Sequence, residues 1–389
     1  MGVAMDIDLA QGIVPNEISI GGDNANSHAA ALDFAVKLFK QSVSLEENAL
    51  ISPLSVLCAL GMVANGADGN TLVQMEDVLG FSVSELNEYV YLYTKVMTSD
   101  GGGAFHLANA LWLRDSGALV AEQAFLQVNA DYYGAGIHKA PFDDNTLQAI
   151  NRWVSDNTDG MIENILREIS REDVMYLINA LAFDAVWQTV YSEGQVRDGV
   201  FTSLSGAKRD VEMMFGEEYA YLDDGKATGF IKKYKGGRYA YAALLPNEEL
   251  TIDGYIATLT GKSLADTLRS ARGIKVNTVT PKFKSGFSVE LGDILGVMGM
   301  SDAFEPRLAN FTRLGYSSHG NIYIGRVVHK TFISVDAQGT KAGAATMIIA
   351  KRTSMELEFK TVRLERPFVY LLLDCKTSLP FFIGTVLDL

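Results

Sequence analysis

Cysteine, histidine and proline are scarce in this chain, with two, five and eight residues among 389. Cys58 and Cys375 each fall inside an apolar pattern, which points to no disulfide framework and no paired-cysteine metal site, and two buried free thiols are expected. The histidines, His28, His106, His138, His319 and His329, are scattered, so neither a metal nor a cofactor is expected. No Pro/Ser-rich linker divides the chain, and one large domain fits the length as well as two or three. Positive charge is in deficit too. The 33 Lys and Arg against 47 Asp and Glu give a net charge of −14, which argues against nucleic-acid binding. No apolar run reaches bilayer-spanning length, and the strongest, 368–373, is strand-sized. Residues 1–25 are polar and acidic, without the basic start and apolar core of a signal peptide.

What is present is a chain of 48% hydrophobic and 21% charged residues, able to bury a large core. A cap at Asn26 or Ser27 precedes Leu32, Phe34, Ala35, Leu38 and Phe39 at helical spacing. Residues 53–65, opening on Pro53 and ending near Asn65 and Gly66, predict an almost wholly apolar buried helix. Further helices are expected over 71–79 and 85–97, and another in 147–168 before a loop at 157–160. Segments 105–113 and 175–187 predict buried strands. Strands 229–234 and 238–245 flank a turn at 235–237, with Lys232, Lys233, Lys235 and Arg238 expected on a solvated hairpin. Core strands over 368–374 and 380–388 complete an α+β pattern, helices early and strands late.

Residues 335–352 combine strand periodicity with poor strand formers. One alternating set, Thr340, Ala342, Ala344, Thr346, Ile348 and Ala350, is small or apolar, while the other carries Lys341 and Lys351. Glycine and alanine in the first half weaken the strand, which suggests a strand held in reserve and slim enough to slip between two neighbours.

Catalytic motifs are missing: there is no Gly-x-Ser-x-Gly elbow, phosphate-binding loop, dinucleotide fingerprint or His-Glu-x-x-His. Ser52, Ser55 and His329 invite a nucleophile-and-base reading, but serines at a helix start usually cap, and buried hydroxyls satisfying an imidazole are favoured. Asn310-Phe311-Thr312 is a formal glycosylation sequon and weak alone.

A set of motifs in fixed order changes the picture. These are Asn48-Ala-Leu-Ile-Ser-Pro-Leu-Ser55; Gly66-Ala-Asp-Gly-Asn-Thr71 with Gln74 and Met75; Ala108-Asn-Ala-Leu-Trp112; Ile150-Asn-Arg-Trp-Val154; and Leu177-Ile-Asn-Ala180 through Phe183 to Trp187. Leu244-Leu-Pro246, Pro281-Lys-Phe283, His329-Lys330, Gly339-Thr340 and Glu365-Arg-Pro-Phe368 follow. From about residue 29 to 389 the chain resembles a serpin. The resemblance implies a single α+β domain over 29–389 with three β-sheets and about nine helices, preceded by an extension, 1–28, expected to be partly disordered.

It further implies an inhibitor of serine proteases, not an enzyme. An exposed reactive-centre loop, about 337–361, is cut, holds the protease as a covalent acyl-enzyme, and inserts into the main sheet. Gly339, Thr340, Lys341, Ala342, Gly343, Ala344 and Ala345 match the loop hinge; Ser52, Ser55, Asn179 and His329 the polar shutter; Trp187 and Lys282 the breach above it. The family usually has Glu where Ala337 and Lys341 stand, the first paired with the lysine at Lys282, so a brake on opening is expected to be missing. The buried face of the hinge carries neither proline nor bulky charge, which favours inhibition over a carrier role.

The family's spacing carried forward from Ala337 puts the scissile bond at Thr353-Ser354, suited to an elastase-like protease. Spacing counted back from Pro367 points to Glu356; Arg352-Thr353 would attract trypsin-like and Met355-Glu356 chymotrypsin-like enzymes, with subtilisin-like targets also open. A cysteine protease is a further conceivable partner. The helix at 85–97 lacks a basic face, so heparin activation is not expected. The implied molecule is a monomer prone to loop-sheet polymers, extracellular if a leader has been removed and otherwise cytoplasmic.

Overall fold

The apolar strand expected at 175–187 is Met175–Val186, and it lies at the centre of the main sheet. A computed structural model describes residues 7–19, 25–99, 104–115, 119–134, 136–318, 320–340 and 359–389. The main sheet orders Ile7–Asp8, Gly136–Ala140, Ala104–Arg114, Met175–Val186, Gly339–Thr340, Arg326–Val335 and Phe283–Glu290. Its central strands are buried on both faces, which is why they read as continuous apolar runs. On one face Trp112, Tyr176 and Ile178 pack beneath Ile150 and Val154 of the helix Asp144–Asn157. There the His138 ring stacks on Trp112 at 4.2 Å and meets Trp153 edge-on at 5.8 Å. The other face belongs to the large core.

That core holds the helix Pro53–Ala64, all of whose residues are buried. Proline at its first position and Ser52 as cap start it, as expected. Helices Ala25–Ser42, Gly69–Leu79 and Val83–Ser99 surround it. A second sheet runs Leu50–Ile51, Pro380–Val386, Phe368–Asp374, Tyr239–Pro246, Ala227–Lys233 and Tyr221–Asp223. A third has Phe359–Arg363, Lys275–Pro281, Lys208–Glu218 and Val196–Thr202. Beside these three sheets there is a two-stranded ribbon, Leu119–Ala121 with Gly315–Ser317. Among the described residues there are nine α-helices.

Several expectations need correction. Cys58 is buried and burial pushes its thiol up to about 12, but Cys375 is only half-buried. Lys232 is not on a solvated turn: it points inward and is 4% exposed. The expected loop 337–361 is narrower at both ends, because Gly339–Thr340 and Phe359–Arg363 are strands. Of the extension, residues 7–19 lie along the edge of the sheet and the helix Gln123–Tyr132. Leu9 N–H donates to Ile137 O at 2.7 Å, and Asn16 donates to the Asp131 carboxylate through its backbone N–H and its side-chain amide.

Candidate functional site

The two central strands of the main sheet form a seam that closes at one end and opens at the other. Arg326–Val335 runs parallel to Met175–Val186 in unbroken register from Arg326 opposite Tyr176 to Phe332 opposite Ala182. Beyond that point the strands part. The chain turns at Asp336, whose carboxylate accepts from the backbone N–H groups of Gln338 and Gly339, and comes back between them. Gly339 pairs with Val186, and Thr340 with Ala185 on one side and Val335 on the other. Only glycine fits at 339, since an added Cβ would overlap Ala185 O and stand 2.8 Å from Val186 Cα.

Beneath the closed part of the seam, Ser52, Ser55, Asn179 and His329 meet as expected, all buried. His329 Nε2 accepts from the Ser52 N–H at 3.0 Å, so the ring proton sits on Nδ1, which donates to Asn179 Oδ1. The same amide oxygen accepts from Ser55 Oγ at 2.8 Å. The Asn179 amide nitrogen donates to Ser55 O at 2.8 Å and to Asn109 Oδ1, so both donors and both acceptor sites of this buried amide are used. Asn109 is a member that the sequence reading missed. It stands directly opposite Asn179 in the ladder, as a polar residue within the apolar run 107–113. Thr331 Oγ1 ties the cluster's strand to Leu50 O at 2.7 Å.

This arrangement cannot do acid-base chemistry. Burial lowers the His329 pKa to about 3, both ring nitrogens are engaged, and His329 faces the backbone N–H of Ser52. A nucleophile-and-base reading therefore fails on geometry. Among the described residues no group of three or more His, Cys, Asp or Glu is placed to hold a metal ion.

At the open end, Trp187 and Lys282 do not meet across the seam as a pair. Lys282 bonds Glu212 at 3.0 Å. Trp187 stacks on Tyr234 at 4.4 Å, and its Nε1–H donates to Asp336 O at 2.8 Å. The Trp187 N–H donates to Gln338 O and the Tyr191 N–H to Ala337 O, each at 2.9 Å. Tyr234 OH and Thr340 Oγ1 lie 2.6 Å apart, both fully buried. Under this layer Lys232 Nζ rests 4.4 Å from the Tyr191 ring centre and 5.4 Å from that of Trp187. It donates to Glu218 at 2.7 Å and to Thr189 O at 3.0 Å. Burial pushes the Glu218 carboxyl up against the pull of Lys232. Lys341, Ala342, Gly343, Ala344 and Ala345 of the hinge, and Arg352, Thr353, Ser354, Met355 and Glu356 around the scissile bond, lie outside the described residues.

Comparison with known proteins agrees with this geometry. A family profile described as Serpin (serine protease inhibitor) matches residues 29–389. A crystal structure of the thermophilic serpin tengpin in the native state superposes with a TM-score of 0.95 at 44% identity, over 99% of this chain and 100% of that one. The same protein in the latent state gives 0.84 at 43% identity, over 96% and 100%. Human neuroserpin is 26% identical over 92% of this chain and 90% of its own length.

Proposed function

The chain belongs to the serpin family, and we propose that it inhibits serine proteases as a suicide substrate cut near Thr353-Ser354. The observation that carries this reading is the seat of Gly339–Thr340: two residues of the hinge already occupy the mouth of the seam, antiparallel to both walls and buried. A strand started there has a direction and a register before the loop is cut.

In the proposed cycle the protease serine attacks the Thr353 carbonyl carbon, the amine of Ser354 leaves with a proton, and an ester joins the two proteins. Release of Ser354 frees the upstream half of the loop to extend the strand that Thr340 begins. The thirteen residues from Thr340 to Arg352 span about 43 Å as a strand. The ester is thus carried the length of the sheet, and the protease active site is pulled out of hydrolytic geometry. The seven parallel pairs from Arg326 to Phe332 are given up, and two new ladders replace that one. Continuing the Thr340–Ala185 register sends Ala342, Ala344, Thr346, Ile348 and Ala350 to the core face and Lys341 to the other.

Incubation with elastase, trypsin, chymotrypsin and subtilisin tests the reading. A denaturant-stable band at the summed mass is the expected result, and mass spectrometry of the released peptide places the cut within residues 351–356. A chain that is simply cleaved, with no such band, is a non-inhibitory serpin. A cut outside that window refutes the three bonds considered.

A further inference from the structure

The seam has a far end, and there the structure has an open cavity of about 1090 Å³. Glu168, Asp173, Glu290 and Asp293 line it together with Tyr176 and Tyr323, and among the described residues Arg326 is the single cation in its wall. Arg326 is already committed to Glu290 at 2.9 Å, and Asp173 accepts from Tyr176 OH at 2.6 Å. Glu168 and Asp293 stand exposed at the rim. Beyond the wall, the Arg114 guanidinium acts on Tyr323. The cavity therefore holds an excess of negative charge at the foot of the two strands that part.

The registers on both walls lead this chain's own loop to that place. An antiparallel ladder advances one residue on each strand at every step. Continued from Thr340 opposite Ala185, it brings Ala350 opposite Met175, the first residue of that strand, and carries Arg352 past its end to the level of Asp173. Continued from Thr340 opposite Val335, it brings Ile349 opposite Arg326, the first residue of that strand, and so carries Lys351 and Arg352 past the strand's end to the level of Ile324 and Tyr323, where the alternation of faces no longer binds. Asp173, Tyr323, Ile324 and Arg326 all belong to the cavity wall. Lys351-Arg352 is the one pair of adjacent cations in residues 341–358, and it arrives where the carboxylates are.

We propose that the acid-lined cavity at the foot of the main sheet is the receiving site for Lys351 and Arg352 of the inserted loop. The inference rests on the insertion proposed above and adds its terminus. Seating this pair fixes the end of the new strand by charge as well as by hydrogen bonds. It also leaves only Thr353 between the anchored dipeptide and an ester-linked protease, which presses the protease against the foot of the molecule.

The test uses protein clipped by a Glu-specific endoprotease after Glu356 or Glu358, so that Lys351 and Arg352 stay on the inserting half. Thermal midpoints are compared for intact and clipped forms in urea at low salt. The gain on clipping is expected to shrink by about 1–2 °C in Glu168→Gln/Asp293→Asn. Lys351→Gln/Arg352→Gln should shrink it equally, and the combined variant no further. In wild type, 1 M salt should remove the same increment. An identical gain in all four proteins overturns the receiving site while leaving insertion intact. Absence of any gain in clipped wild type overturns insertion and the receiving site with it.

Discussion

Replacing His329 by alanine separates what holds the seam shut from what holds the fold together. The imidazole is fully buried, accepts the Ser52 N–H and donates to Asn179 Oδ1. Alanine leaves the Ser52 N–H without an acceptor, at a cost of about 1–3 kcal/mol, and leaves a cavity worth about 1–2 kcal/mol more. Ser52 lies outside the seam, so those losses fall on intact and clipped protein alike. The bond to Asn179 differs, because it spans the two strands that part. By the ladder continued from Thr340, Thr346 comes to stand opposite Asn179 after insertion. That bond, about 1–2 kcal/mol, therefore stabilises only the closed state. The intact variant should lose more stability than the clipped one by that amount, and should convert faster to inserted or polymeric forms. Intact monomer remaining after heating a few degrees below the unfolding transition, followed by native gel and size exclusion, reads the conversion. Unchanged monomer content, or equal losses in both forms, would refute the reasoning.

Three further outcomes follow from the same geometry. Because burial holds the folded His329 pKa near 3 against an ordinary 6.5, the unfolded chain takes up the proton first. This residue's contribution is complete above pH 6.5 and falls by about 1.4 kcal/mol per pH unit as the pH drops towards 3. Urea midpoints between about pH 6 and 4 should therefore fall more steeply in wild type than in His329→Gln, and equal slopes would contradict this. Gly339→Ala forces a Cβ onto Ala185 O and should unseat Thr340 from Tyr234. The gain in melting temperature on clipping should then diminish and more inhibitor be consumed per protease trapped, whereas wild-type stoichiometry would count against the seat. Glu218→Gln strips Lys232 of its counter-charge and should cost about 3 kcal/mol, much of it recovered by adding Lys232→Met; thermal midpoints of the single and double variants decide.

The seam was legible in part because its chemistry is local in sequence. The alternation of small residues from Thr340 and the lone Asn179 in a mostly apolar strand each violate a simple expectation, the Ser52-Pro53 helix start follows one, and all three are part of the site. Asn109 carries the same signal and went unread, because one asparagine in a buried strand points to no partner until the strands are paired. Lys232 was misread by counting charges instead of following the strand: Phe230, Lys232 and Tyr234 share one face by alternation, and the two aromatics are fully buried. The docking of residues 7–19 was beyond reading, since Asn16 meets Asp131 across 115 residues of chain and nothing in either segment names the other. The cavity at the foot is likewise assembled from three separated stretches, 168–176, 290–304 and 323–326.

The missing carboxylate at Ala337 looked in the sequence like a lost brake, and the open end of the seam shows how the hold is otherwise made. Trp187 and Tyr191 grip the turn through the carbonyl groups of Asp336, Ala337 and Gln338, none of which depends on the side chain at 337. Lys232, held by Glu218, braces both rings from below, so the grip is tied to the strands Ala227–Lys233 and Lys208–Glu218 of the other two large sheets. A hold built on main-chain carbonyls and a buried cation is less sensitive to salt than an exposed ion pair, because screening acts least on desolvated charges. The Lys282 pair with Glu212, whose carboxylate side chain is 58% exposed, is open to that screening. In the proposed cycle this turn stays seated as the start of the entering strand, and it is the pairs beyond Thr340, from Phe332 opposite Ala182 downward, that part. Insertion, as proposed, would trade the His329–Asn179 bond for the ladders of the entering strand, while the Asn109–Asn179 bond, between strands that stay paired, would be kept.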